Sequence, residues 1–209
     1  MRILVISGSP RGIGSVPGHE TKTIDIPRPG GIVEPVPFDS CTERLADAFV
    51  EGARGTGAET VKLTLHELRH VEPCRACYGC LKGGKCVVQD DMQAIYREFD
   101  RADAVCFASP LYYATVPAQV LAVVNRLYPY WIDGIRYPKL KGGAAVIGVC
   151  ADLGQDWTLF DGLWKSVFRE VGWTNRGILH APRFMLDPAK HLAAAREFGR
   201  SFASDATPG

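Results

Sequence analysis

Cys74, Cys77, Cys80 and Cys86 fall within thirteen residues, in the string P-C-R-A-C-Y-G-C-L-K-G-G-K-C. Thiols gathered on one short loop bind a metal or a cluster, or exchange electrons, because the thiolate is both a soft ligand and a nucleophile. The spacing C-x2-C-x2-C-x5-C sets three thiols at three-residue intervals and brings in the fourth across Gly83-Gly84. Four thiolates wrapped in this way suit a four-iron, four-sulfur (4Fe-4S) cluster, and bacterial ferredoxins open with a related C-x2-C-x2-C, although their following C-P is absent here. Two other readings stand beside it. Structural zinc sites usually pair separated C-x-x-C knuckles, which three cysteines at i, i+3 and i+6 match less well, and a loop of bare thiols needs no metal. Lys82 and Lys85 either offset cluster charge or are simply solvated.

A second set of residues points to a phosphate. Gly8-Ser9-Pro10-Arg11 offers backbone N–H groups, a hydroxyl and a guanidinium at the end of an apolar run, donors and charge suited to a terminal phosphate. The same glycines, with Gly12 and Gly14, also fit the G-x-x-x-G-x-G turn of short-chain dehydrogenases, and Tyr137-x-x-x-Lys141 imitates their catalytic pair. That reading needs a helix directly after the glycines, yet the chain there is rich in proline, and Pro138 breaks the helical face that Tyr137 and Lys141 would share. A third segment, Ser109-Pro110-Leu111-Tyr112-Tyr113-Ala114-Thr115, sets two flat side chains beside polar backbone, which suits a flat heteroaromatic ring. The plainer reading is that Tyr112 and Tyr113 are ordinary surface aromatics.

The elements that must position these groups follow from periodicity. Arg2 to Ile6, Ala58 to Leu65, Asp103 to Ala108, Gly143 to Cys150 and Gly177 to Pro182 read as strands. Between and after them, helices are expected from Thr42 through Ala53, from Asp90-Asp91 through Phe99, from Pro117 through Leu127, from Leu159 to Val171 and from Pro188 to Phe202. Ser40 or Thr42 can cap the first of these. Prolines 17, 27, 29, 35 and 37 exclude a continuous helix over 12–39 and predict a long surface excursion. Alternation of strand and helix predicts a doubly wound α/β sheet whose ligand lies beyond the carboxyl ends of the strands. The loops at Gly8 to Arg11, Ser109 to Thr115 and Ala151 to Gly154 are therefore the ones to watch.

Composition sets outer bounds. With 209 residues and 46% hydrophobic content, one filled core and one domain spanning 1–209 are expected, with the 12–39 insertion and the 74–86 cysteine loop hung on it. Twenty-four basic against 23 acidic residues give a net charge of +1, too little to hold nucleic acid or an anionic membrane. The first apolar run is far shorter than a signal-peptide core or the ~20 residues of a membrane span, so a cytoplasmic protein is expected. In a reducing compartment an odd count of seven cysteines is no anomaly. Cys41, Cys106 and Cys150 stand apart from the cluster, and the last two read as buried small hydrophobes.

Taken together, G-S-P-R, the helix L-A-D-A-F-V-E-G-A, the cysteine string followed by D-D-M, A-D-A-V-x-x-x-S-P-L-Y-Y and the terminal A-R-E-F-G-R resemble the NADPH-dependent FMN reductases of flavodoxin-like fold. Within them, the cysteine spacing is most similar to the iron-sulfur flavoproteins. The resemblance implies a five-stranded parallel sheet of order 2-1-3-4-5 with helices on both faces. It also implies FMN, its phosphate held around Ser9, Pro10, Arg11, Ser40 and Thr42, and its ring resting against Ser109, Pro110, Leu111, Tyr112 and Tyr113 and against Cys150, Ala151, Asp152 and Gly154. One departure is visible: in the family the G-S-P-R loop runs within a few residues into a short polar helix start, whereas here the matching Ser40-Cys41-Thr42 is displaced by the insertion.

The implied activity is an oxidoreductase passing electrons from NADPH or NADH, or from a ferredoxin-like donor through a 4Fe-4S cluster on the four cysteines, to a quinone, aromatic or other small acceptor. Hydride transfer to flavin asks no acid or base of the protein, so no catalytic side chain is expected. Homodimers or homotetramers are implied as well, with Tyr128-Pro129-Tyr130-Trp131 either covering a neighbour's flavin or packing in the core. The contrasting reading is a non-enzymatic electron carrier or redox sensor built from the same parts.

Overall fold

The computed structural model describes residues 1–10, 23–27, 33–37, 40–132, 140, 142–150 and 156–204, of which 23–27, 33–37 and 132 are described by backbone alone. Five parallel strands form the central sheet: β1 (Arg2–Ser7), β4 (Glu59–Thr64), β5 (Ala104–Pro110), β6 (Gly143–Val149) and β7 (Asn175–Ala181). Their spatial order is β4-β1-β5-β6-β7, the expected 2-1-3-4-5. The register sets Ser7 level with Thr64 on one side and Ala108 on the other, so β1 and β4 finish level while β5 runs two residues further, to Pro110. The other two strands, β2 (Thr23–Pro27) and β3 (Val33–Pro37), pair antiparallel in a separate sheet. The proline count of this segment forbids a helix, as expected; Pro27 and Pro37 end their strands and Pro35 sits inside β3 opposite Asp25, which a two-stranded sheet, all edge, tolerates.

The strands are apolar on both faces because both are covered. Ile3, Val5, Cys106, Ala145 and Ile147 pack beneath α1 (Cys41–Arg54) and α7 (Pro188–Ser204). Leu4, Ile6, Phe107 and Val146 point the other way, toward α3 (Met92–Phe99), α4 (Ala118–Asn125) and α6 (Thr158–Val171), where Phe160, Trp164 and Phe168 form an aromatic wall. Cys106 is wholly buried, a small core hydrophobe as its apolar neighbours predict. The helix pair α1 and α7 is held close by two glycines. A methyl at Gly52 would strike the carbonyl oxygen of Arg196, and one at Gly199 the carbonyl oxygen of Phe49. Among the described residues no helix is long and apolar enough to cross a membrane.

Candidate functional site

Ser9 lies just past β1, and Ser40 immediately precedes α1. Both are buried, and the Ser40 hydroxyl donates to the Ser9 hydroxyl at 2.6 Å. The chain therefore leaves the sheet after β1 and returns to the same spot 31 residues later. Ser40 also accepts from the Glu43 amide at 3.1 Å, which makes it the N-cap of α1 and aims the open N–H groups of that helix at the two hydroxyls. Thr42 is buried in the same first turn. Beneath them the Glu43 carboxylate, almost fully buried, accepts from the Ser7 hydroxyl, from the Lys62 ammonium at 2.9 Å and from Thr64 at 3.4 Å. Three elements are thus tied to one carboxylate, and Lys62 offsets its charge. Pro10 is exposed; Arg11 lies outside the described residues.

The aromatic loop continues β5. Ser109 and Leu111 are buried, and Leu111 belongs to the core beside Val116. The Leu111 amide donates to Val149 at 2.8 Å, while Tyr112 and Thr115 exchange backbone hydrogen bonds of 2.9 and 3.0 Å. Left-handed backbone at Tyr113 (φ 49°) and Ala114 (φ 62°) closes this tight turn. The result leaves Tyr113 97% exposed and Tyr112 45% exposed, two rings presented at the surface rather than packed in the core. Cys150 is buried at the end of β6, whereas Ala151, Asp152 and Gly154 lie outside the described residues, as do Tyr137 and Lys141.

The cysteine loop leaves the carboxyl end of β4. Left-handed backbone at Ala76 (φ 50°) and Tyr78 (φ 55°) folds it back on itself, the Ala76 amide donates to Cys74 Sγ at 3.4 Å, and Cys80 opens the single turn α2 (Cys80–Gly83). Gly84 ends that turn at φ 70°, a conformation that suits glycine, and its amide returns to the Cys80 carbonyl at 2.7 Å. Cys74, Cys77, Cys80 and Cys86 all line one small pocket, with Tyr96, Arg126 and Tyr128 among its other walls. Among the described residues no three His, Cys, Asp or Glu side chains are grouped to hold a single metal ion. Burial first, and then the nearness of Cys86, Cys74 and Cys77, pushes the Cys80 thiol above its ordinary pKa. Four sulfur donors lining one pocket are the kind of set that a cationic metal core takes up, so the chemistry of this lining fits such a core.

Residues at and just before the start of α3 clamp this loop. Asp91 accepts from the amides of Arg69 (2.6 Å) and His70 (2.9 Å), and Asp90 from the amides of Glu72 (2.9 Å) and Met92 (3.1 Å). Gln93 reaches the other end, donating to the carbonyls of Cys86 (3.1 Å) and Val88 (2.7 Å). Burial pushes the Asp90 carboxyl up, but hydrogen bonds from Arg126 and the Glu72 amide outweigh it and leave it below the ordinary carboxylate range. The aromatic run after α4, in α5 (Tyr128–Ile132), divides. Tyr130 is buried against Phe99 and Trp173, whereas Tyr128 stacks on half-exposed Trp131 at 5.3 Å between ring centres.

Residues 1–154 match the family described as NADPH-dependent FMN reductase. The chain belongs to that family. Among its relatives, an iron-sulfur flavoprotein of Archaeoglobus fulgidus is 36% identical over 99 residues, covering 47% of this chain and 43% of the relative. Another iron-sulfur flavoprotein, from Methanocaldococcus jannaschii, is 27% identical over 159 residues, 76% of this chain and 68% of the relative. The matched part of this FMN reductase family member therefore spans less than half the length of the Archaeoglobus protein. An NAD(P)H:quinone oxidoreductase from Methanothermobacter marburgensis shares the fold with a TM-score of 0.67 at 19% identity, over 96% of this chain and 95% of that one. The strand order and the family agree on a flavodoxin-like architecture.

Proposed function

We propose that this chain is an FMN-dependent NAD(P)H oxidoreductase whose cysteine loop carries a 4Fe-4S cluster, passing electrons to a quinone, an aromatic compound or another small acceptor. The observation that carries the reading is the meeting of Ser9 and Ser40 at the carboxyl edge of the sheet, under the open end of α1. In an FMN reductase family member this is where a flavin phosphate finds two hydroxyls, helix N–H groups and a favourable helix dipole. Lys62 keeps the Glu43 carboxylate from repelling that phosphate. Arg11 is expected to add its charge, and the Ala151, Asp152 and Gly154 backbone to border the ring. Tyr112 and Tyr113, fixed by the turn behind them, offer flat faces at the entrance for a flavin or an acceptor ring.

Bound FMN supplies hydride and one-electron chemistry, and a cluster supplies one-electron exchange. The four cysteines would hold that cluster, supported by their common pocket and by the names of the relatives. We further propose a homodimer or homotetramer in the cytoplasm, acting as one domain on small molecules or a ferredoxin-like partner, with neither nucleic acid nor membrane bound.

The test is an absorption spectrum of the anaerobically purified protein before and after NADPH or NADH, with iron and acid-labile sulfide assays and steady-state turnover with a quinone. Flavin that bleaches with NADPH, about four iron and four sulfide per chain, and turnover support the proposal. Cys77→Ser is expected to abolish iron and sulfide while FMN remains. Fully loaded protein that never turns over is a carrier or sensor instead, and flavin without iron removes the cluster.

A further inference from the structure

Arg126 follows α4 and is only 1% exposed. Its guanidinium is engaged on one side: Nη1 donates to Asp90 Oδ2 (2.8 Å) and to the Glu72 carbonyl (2.9 Å), and Nη2 to Asp90 Oδ1 (3.1 Å) and the Val88 carbonyl (3.4 Å). The remaining donor, Nε, is buried and has no hydrogen-bond partner among the described residues. This same arginine lines the pocket of the four cysteines, whereas its carboxylate partner Asp90 does not. Tyr96, also in the pocket wall, donates its hydroxyl to the Arg126 carbonyl and fixes the backbone from which the side chain extends.

A buried ion pair is a poor way to hold a loop shut, since well-packed apolar groups usually serve as well or better. Backbone tethers from Asp91 and Gln93 already clamp both ends of this loop. What an arginine adds is a permanent positive charge in the pocket wall, with its counter-ion set behind it and one N–H unspent. A cluster held by four thiolates is anionic, and reduction by one electron makes it more so. Fixed positive charge and N–H donors in a poorly solvated surrounding favour the reduced form.

We infer that Arg126 is a positioning residue of the cysteine pocket that raises the reduction potential of the cluster held there. The inference rests on the proposed cluster. Its test is a dye-mediated redox titration of the anaerobic full-length holoprotein, following the cluster by electron paramagnetic resonance and the flavin by absorbance. The double variant Asp90→Asn/Arg126→Met removes both charges together, so no carboxylate is left buried alone. The cluster potential is expected to fall in that variant while the flavin potential stays, and to remain close to wild type in Arg126→Lys, which keeps the charge. In Asp90→Asn, where the guanidinium loses its counter-ion, the potential is expected to rise. A loaded double variant with an unchanged cluster potential makes Arg126 a strut and overturns the inference. If the double variant does not load, an unchanged potential in Asp90→Asn overturns it equally. Wild-type protein that carries no iron or sulfide fails at the earlier step, taking the proposed cluster down together with this inference.

Discussion

The Ser40 hydroxyl sits 2.6 Å from that of Ser9, across 31 residues of intervening sequence. Because Ser40 also caps α1, its two roles can be separated by substitution. Ser40→Ala loses the cap, worth about 1 kcal/mol, and, in the proposed site, a hydrogen bond to the flavin phosphate, worth about 1.5–3 kcal/mol, so FMN affinity should fall roughly tenfold or more. Ser40→Asp retains a good cap but faces the phosphate with a negative charge. Denaturant melts should show it nearly as stable as wild type, and flavin-fluorescence titration should show binding at least as weak as in Ser40→Ala. Wild-type affinity in Ser40→Asp would place the phosphate elsewhere.

Glu43 joins β1, β4 and α1 through Ser7, Lys62 and Thr64, and its side chain is only 3% exposed. Glu43→Ala is expected to destabilise the protein by about 2 kcal/mol, since three donors lose a charged acceptor away from water. Glu51 offers the contrast, pairing with Arg196 at 2.7 Å on the surface, with the two side chains 63% and 42% exposed. Glu51→Ala should cost well under about 1 kcal/mol. Equal losses in urea unfolding would mean that Glu43 is not the tie the geometry describes.

The central strands β1, β5 and β6 were legible as apolar runs ahead of turn residues and β4 by its alternation, whereas their order was implied by the family resemblance. Ser9 and Ser40 were legible as local chemistry, but their 2.6 Å contact was not, since it depends on how the chain between 10 and 40 returns. The hairpin of β2 and β3 escaped because prolines within and at the ends of edge strands look, in sequence, like prolines in a loop. Arg126 was illegible for a different reason. A cation at the end of an apolar helix is ordinary helix chemistry, and only the packing of α4 against the residues before α3 puts it beside Asp90 and the cysteines. The D-D-M string was a usable signal, as two acids before a short helix exceed what one cap requires.

Two helical glycines should respond to alanine in opposite directions. Gly52 in α1 meets the backbone of α7, so Gly52→Ala must push the helices apart and is expected to cost about 1–3 kcal/mol. Gly162 in α6 has open space around its missing Cβ, so Gly162→Ala should gain up to about 1 kcal/mol from helix propensity alone. Thermal melts of the two variants decide it, and a loss of stability in Gly162→Ala would contradict the open environment.

The Asp90 carboxyl is held below its ordinary range in the folded protein, against the upward push of burial, by Arg126 and by the Glu72 and Met92 amides. A depressed carboxyl contributes stability that is fully present above its unfolded pKa of about 4 and is lost as the pH falls through the folded value. Asp90→Asn cannot titrate, so the stability gap between wild type and this variant should be widest near neutral pH and narrow steadily below about pH 4. Other acidic groups titrate in both proteins and cancel in the difference. Urea unfolding at a series of acid pH values measures that gap. A gap that stays constant into strong acid would mean that the Asp90 charge contributes nothing, and that its hydrogen bonds serve equally well when the group is neutral.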